Sequence, residues 1–354
     1  MMARPLPLAL RSPSPRAQQH SQHKARADEP GAEEGSQTAA SPTKPWTRWL
    51  GVVFALAVVG MLAWAARRVD WQAVLQALKS MPVDVMAMAA GVSLLSYLLY
   101  SAYDLIGRAW IGHKLAWWRV LSVTAVSYAF NLNLGMLVGG LGIRYRLYSR
   151  LGLRGGQIGR ILSMSVATNW LGYGLLAGGV FLFRQISPPA DWHVSGTVLQ
   201  AVGAALWLVV AGYLALCGWS SRRSFTVRGH EVHLPGLRMA LVQLALSSLN
   251  WLAIATMLYL LLQGKVPFGL VLGTSLVAAV AGVLARLPAG LGVVEAVFVT
   301  VLASRLPEAT VLAAVLVYRA LYYLLPLLLA TGGYLLIEAR APRAQTGAAQ
   351  PRAD

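Results

Sequence analysis

The chain has 354 residues, of which 57% are hydrophobic and only 12% charged, with a mean hydropathy of +0.57. A water-soluble protein cannot hide that much apolar surface, so lipid is the expected solvent for most of it. The formal charge of +17 fits a cytoplasmic excess of Lys and Arg better than nucleic acid, and the lone cysteine, Cys217, excludes an intrachain disulfide or Cys-cluster metal site.

Residues 1–45 are rich in Pro, Ser, Ala, Gln and charge and read as a disordered cytoplasmic tail. The short apolar run at 6–10 is broken by Pro7 and is no signal-peptide core. Apolar runs near the spanning length of about 20 residues follow at 49–66, 83–106, 115–141, 158–183, 194–217, 239–262, 268–285, 290–303 and 309–337. The first of these is expected to act as an uncleaved signal anchor. Residues 338–354 read as a second cytoplasmic tail. This pattern predicts an all-α, polytopic helical membrane protein with one transmembrane domain over 46–337.

Two polar, Gly-rich breaks interrupt these runs. The first is Asn131-Leu132-Asn133-Leu134-Gly135, leading into Gly139-Gly140-Leu141-Gly142-Ile143-Arg144. The second is Arg286-Leu287-Pro288-Ala289-Gly290-Leu291-Gly292-Val293-Val294-Glu295. If all nine runs crossed the bilayer, the 30 basic residues would divide almost evenly between its two sides. Folding 115–141 back on the cytoplasmic face and 268–303 back on the opposite face places most of them inside, as the positive-inside rule requires. The chain is therefore expected to form an inverted repeat, halves about 46–185 and 190–337, each containing a re-entrant helical hairpin. A plain bundle with two kinked full spans is the competing layout.

Charges within spans are costly, roughly 2.5–3.5 kcal/mol each, which singles out Arg286, Glu295 and Arg319. Glu295 is expected to pair with Arg319 or Arg286, either fixing helix packing or leaving an Arg to hold a lipid phosphate. Arg144 and Arg146 follow the first break and face the cytoplasmic headgroup layer in this reading. Asn131 and Asn133 at the hairpin tip, with Gly140, Gly142, Pro288, Gly290 and Gly292 at the breaks, complete a candidate headgroup site. Asp104 and Arg108 read as a local helix pair, Asn169 and Asn250 as interhelical glue, and Gly174 with Gly178 as a packing face. Trp117, Trp118, Tyr322 and Tyr323 read as interfacial belts. His230-Glu231-Val232-His233 lacks the spacing of a zinc-protease motif and lies in a short basic loop. No catalytic residue, metal ligand or cofactor is expected.

The stretch 131–154, with its Asn, Gly-Gly-x-Gly and trailing arginines, resembles the first signature of the lysylphosphatidylglycerol synthetase transmembrane-region family. Leu287-Pro288-Ala289-Gly290-Leu291-Gly292-Val293-Val294-Glu295-Ala296 is similar to its second, and the resemblance covers about 48–337. It implies a flippase-like domain that moves an anionic or aminoacylated phospholipid between leaflets of a bacterial inner membrane. In the multiple peptide resistance factors of this family a separate soluble domain makes the lipid. Residues 338–354 leave no room for it here, so a stand-alone member is expected, not an enzyme. A non-transporting scaffold or regulator of a separate lipid-modifying or glycosyl-transferring enzyme is the alternative. An intramembrane transferase using Glu295 as base ranks third. The expected partner is membrane phospholipid, compatible with a partner enzyme or a homo-oligomer.

Overall fold

The computed structural model describes residue 67 and residues 71–186, 195–220, 224–227, 230–285 and 287–340. The run at 49–66, the predicted tail 1–45, residues 341–354 of the second tail and Arg286 lie outside the described residues, whereas residues 338–340 are helical rather than tail. The protein is helical, as its apolar runs require. Helix α1 (Trp71–Lys79) leads through Pro82 into α2 (Val83–Ile111), which ends on Gly112 in the left-handed region with its N–H bonded to Arg108 O. In the short connection that follows, burial and the Arg108 guanidinium lower the pKa of His113, favouring the neutral ring. Next come α3 (Trp117–Leu134), a π-helical segment (Met136–Ile143), α4 (Arg144–Arg150) and α5 (Gly155–Leu182). Gln157 caps α5 by accepting from the Arg154 N–H at 3.0 Å. Ser195 caps α6 (Gly196–Trp219) by accepting from the Val198 N–H at 3.2 Å.

A two-stranded antiparallel hairpin, β1 (Ser224–Val227) and β2 (His230–His233), sets Val227 opposite His230. The His-Glu-Val-His run is thus strand rather than loop; its Thr, Phe and Val neighbours favour extended chain. Helices α7 (Leu237–Leu261), α8 (Phe268–Ala285), α9 (Val293–Leu302), α10 (Glu308–Arg319) and α11 (Leu325–Arg340) complete the order. A 3₁₀ turn (Pro288–Gly290) separates α8 from α9, and a π turn (Ala320–Leu324) joins α10 to α11.

Among the described residues, five helical stretches are long and apolar enough to cross a membrane: Val83–Ile111, Gly196–Trp219, Leu237–Leu261, Phe268–Ala285 and Glu308–Gly333. At 18 residues α8 would extend about 27 Å, just the hydrocarbon thickness. The burial pattern is that of a protein dissolved in lipid. Leu94, Leu95 and Leu98 on α2, Leu208 and Val209 on α6, and Leu328 and Leu329 on α11 are exposed. Ser93, Ser96, Thr124, Ser165, Thr168, Gln243, Ser247 and Asn250 are buried. Apolar surface outside and hydroxyls and amides inside is the reverse of a soluble core, because lipid cannot hydrogen-bond.

The helices approach closely where side chains vanish. Gly178 on α5 meets Gly203 and Trp207 on α6; a Cβ on Gly203 would lie 2.8 Å from Gly178 O. Gly174 approaches Val210, so the Gly174–Gly178 face packs against α6 as expected. The largest core cluster joins α2, α3 and α7–α11 around Tyr97, Tyr128, Met257, Leu258, Phe298 and Tyr322.

Both breaks turn the chain into helical hairpins. At the first, Gly135 takes φ +83°, its N–H bonds to Asn131 O, and the π segment returns along α3. The return is tight enough that a Cβ on Gly139 would lie 2.2 Å from the Phe130 carbonyl. At the second, Ala289, Gly290 and Gly292 all have positive φ, and Gly290 lies against Gly282 of α8. Helix α3 packs on both the 3₁₀ turn and α11, so the two hairpins meet.

Candidate functional site

Two ion pairs stand beside these breaks. The more complete joins Arg319, the last residue of α10, to Glu295 in the first turn of α9. Arg319 Nε donates to Glu295 Oε1, and Nη2 donates to Oε2 at 2.8 Å. Nη1 donates to Ala289 O at 2.9 Å, and Nη2 donates again to Gly290 O at 3.0 Å. Four of the five guanidinium hydrogens are thereby committed, and the ring of Tyr323 lies 5.3 Å from Cζ. Arg319 is 7% exposed. Its partner is Glu295, the first of the two pairings expected, and its fork serves the carboxylate and the turn's carbonyls. Pro288 opens the 3₁₀ turn, and Gly292 supplies the left-handed residue before α9.

The second pair was not legible. Asp104, fully buried in α2, faces Arg144 of α4, which is 4% exposed; Nη1 and Oδ1 are 3.5 Å apart. Asp104 Oδ2 accepts from Thr124 Oγ1 and from Tyr148 OH, both at 2.7 Å. Arg144 also donates from Nη1 to Ser165 Oγ at 3.3 Å and lies 5.8 Å from the Tyr100 ring centroid. Two expectations are corrected here. Arg144 points into the protein rather than to a headgroup layer, and Asp104 does not pair with Arg108, whose Nε donates to Leu115 O at 2.7 Å. Helix α2 runs past residue 106 to Ile111 and Asp104 is fully buried within it, so the carboxylate needs a partner from another helix. Arg146 is exposed on α4.

A seam of tyrosines joins the two pairs. Tyr100 stacks on Tyr128 at 3.6 Å between centroids, and Tyr128 OH lies 2.9 Å from Tyr322 OH. Tyr322 OH is also 2.7 Å from Ser96 Oγ, which donates to Asn250 Oδ1 at 2.7 Å. Tyr322 is 1% exposed, so it is a core hydroxyl, not part of an interfacial belt. Tyr323 packs on both Tyr322 and Arg319. The π turn explains why three helices converge here. Its carbonyls at Leu321, Tyr322 and Tyr323 accept from Ser93 Oγ, Tyr97 OH and Asn133 Nδ2, at 3.1 Å each. Asn133 also donates to Ala129 O at 2.8 Å, and Asn131 lies against Gly140, where a Cβ would approach its Oδ1 to 2.7 Å. Gly142 leaves ordinary space, with Leu137 O 3.4 Å from an added Cβ. Asn133 and Asn250 therefore act as helix-to-helix links. Tyr322→Phe removes the hydroxyl shared by Ser96 and Tyr128 and is expected to cost about 1–3 kcal/mol, read as a lowered midpoint of thermal unfolding in detergent.

Against this geometry the relatives can be set. A family model described as the lysylphosphatidylglycerol synthase TM region matches residues 48–330. The chain belongs to this family. Over 296 residues it is 44% identical to Inner membrane protein YbhN of Escherichia coli K12, covering 83% of this chain and 92% of that protein. It is 27% identical over 302 residues to Uncharacterized protein slr0712 of Synechocystis, covering 84% and 94%. A shorter match, 39% over 88 residues, is to the phosphatidylglycerol lysyltransferase of Staphylococcus haemolyticus, 24% of this chain and 10% of that one. Family membership and five apolar helices together make this a multi-pass membrane protein. Both buried ion pairs and the tyrosine seam fall within the family region.

Proposed function

We propose that this protein carries phospholipid headgroups between the leaflets of a bacterial inner membrane, with both termini in the cytoplasm. Two ion pairs, Asp104–Arg144 buried and Glu295–Arg319 partly buried, each beside a backbone break in a helical body with an apolar exterior, carry this reading. An ionised side chain at bilayer depth costs roughly 2.5–3.5 kcal/mol, and such groups cluster on substrate pathways. The hairpins built around Gly135 and Gly292 enter the bilayer from opposite faces in this reading, and the two halves of the chain form an inverted repeat. The distribution of Lys and Arg supports that layout.

The family's description and the phosphatidylglycerol lysyltransferase relative favour an anionic or aminoacylated phospholipid as cargo, and the name of the Escherichia coli relative favours the inner membrane. Headgroups move along the polar seam between Arg144 and Arg319 while acyl tails stay in lipid. The protein is a carrier rather than an enzyme, acting by itself or beside a lipid-modifying enzyme. Proteoliposomes with headgroup-labelled phosphatidylglycerol test this. Protein-dependent leaflet exchange is expected, slowed about tenfold or more by Glu295→Gln and left near the wild-type rate by Arg154→Gln on the exposed surface. Absence of exchange with phosphatidylglycerol, its lysyl ester and phosphatidylethanolamine alike removes the reading.

A further inference from the structure

Asp104 and Arg144 satisfy one another far less completely than Glu295 and Arg319. Asp104 Oδ2 takes two short hydroxyl bonds, but Oδ1, the oxygen nearest Arg144, has no hydrogen-bond partner among the described residues. Nor does Arg144 Nε. Two more unpartnered groups belong to the same level. Helices α2 and α3 run antiparallel in a register that sets Asp104 beside Thr124 and Tyr100 on Tyr128. Ser101 on α2 and Ser127 on α3 fall within the stretches that these contacts bracket, both are buried, and neither hydroxyl has a partner among the described residues.

A buried polar group left unpaired costs about 1–3 kcal/mol, and more when it is charged. Here Oδ1 of the carboxylate and Nε of the guanidinium each keep an unused hydrogen-bonding position within one ion pair. A simple anion would satisfy Nε but be repelled by Asp104, and a simple cation would meet the reverse problem at Arg144. A group bearing both signs satisfies both and leaves the site's net charge unchanged, which matters where desolvation is expensive.

The geometry points to the Asp104–Arg144 pair as a binding site for a zwitterionic phospholipid headgroup, its phosphate on Arg144 and its ammonium on Asp104 Oδ1. Ser101 and Ser127 supply hydroxyl donors to the phosphate. The inference rests on the lipid-handling reading and sharpens it: the site recognises a phosphate joined to an amine, not net negative charge.

Binding to the purified full-length protein in detergent tests this, with phosphatidylethanolamine and phosphatidylglycerol as probes and native mass spectrometry as readout. Phosphatidylethanolamine is expected to bind about tenfold more tightly. Asp104→Asn abolishes that preference by weakening phosphatidylethanolamine alone, whereas Arg144→Gln weakens both lipids. Soluble glycerophosphoethanolamine competes and inorganic phosphate does not, which separates a headgroup site from a phosphate site. Equal binding of the two lipids by the wild type, an unchanged preference in Asp104→Asn, or equal competition by inorganic phosphate overturns the proposal. Should Asp104→Asn fail to fold, Ser127→Ala serves: weaker binding of both lipids supports the site, and unaltered binding sinks it. A protein that exchanges lipids without this preference defeats the present inference and spares the carrier reading; tight selective binding without exchange does the opposite.

Discussion

Arg319→Gln is expected to destabilise the protein by about 3–5 kcal/mol, the usual consequence of removing one partner of a buried ion pair. The guanidinium serves three acceptors at once: the Glu295 carboxylate, Ala289 O and Gly290 O. Glutamine can donate only two hydrogens and carries no charge, so the carboxylate is left unpaired and the 3₁₀ turn loses a tie. Glu295→Gln should cost less, because Arg319 retains both backbone carbonyls. The double variant Glu295→Gln/Arg319→Gln should recover part of the loss, since no lone buried charge remains. Thermal unfolding of the four proteins in one detergent checks the order. If Arg319→Gln were no worse than Glu295→Gln, the capping of the turn would contribute nothing to stability.

Gly172→Val is expected to be at least as damaging. A Cβ at Gly172 on α5 would lie 2.3 Å from Ser247 Oγ and 2.5 Å from the Ser247 carbonyl carbon on α7. Overfilling a packed contact costs about 1–3 kcal/mol when side chains can shift, and more when backbone must move. Separating α5 from α7 would also strain the Ser247 and Trp251 bonds to Asn169 O, at 3.0 and 3.3 Å. Removing the serine side chain should not rescue the fold, because the obstruction includes main chain. Unfolding midpoints of Gly172→Val and Gly172→Val/Ser247→Gly should therefore both fall well below wild type. Full rescue by the second substitution would show that only the serine side chain blocks the approach.

The pair Glu295–Arg319 could be read in the sequence because charges in apolar runs are few and each demands a partner. Asp104 escaped the same logic. Arg108, four residues on, offers the nearer helix neighbour, and only the fold shows that Asp104 turns to Arg144, Thr124 and Tyr148 instead. Tyr322 and Tyr323 were misplaced for a related reason: aromatic rings with a hydroxyl suit an interface and a polar interior equally well. Gly174 and Gly178 were legible as a packing face because small residues one turn apart have few other uses in lipid. Neither π element could be foreseen, since a wider helical turn leaves no residue-type signature. The Gly-rich breaks were visible as breaks, but the sequence does not show that Gly139 must pass within touching distance of the Phe130 carbonyl.

The π turn at Ala320–Leu324 holds one residue more than an α-helix would use for the same advance. A five-residue π turn covers about the same rotation and rise as four residues of α-helix, so deleting one residue there would restore regular winding and leave the helix beyond it facing as before. Leu328 and Leu329, facing outward at 70% and 68% exposure, would keep the hydrocarbon side. What the deletion would take away is the widened turn whose carbonyls receive Ser93, Tyr97 and Asn133, so the surplus residue fastens the last helix to its neighbours without steering it.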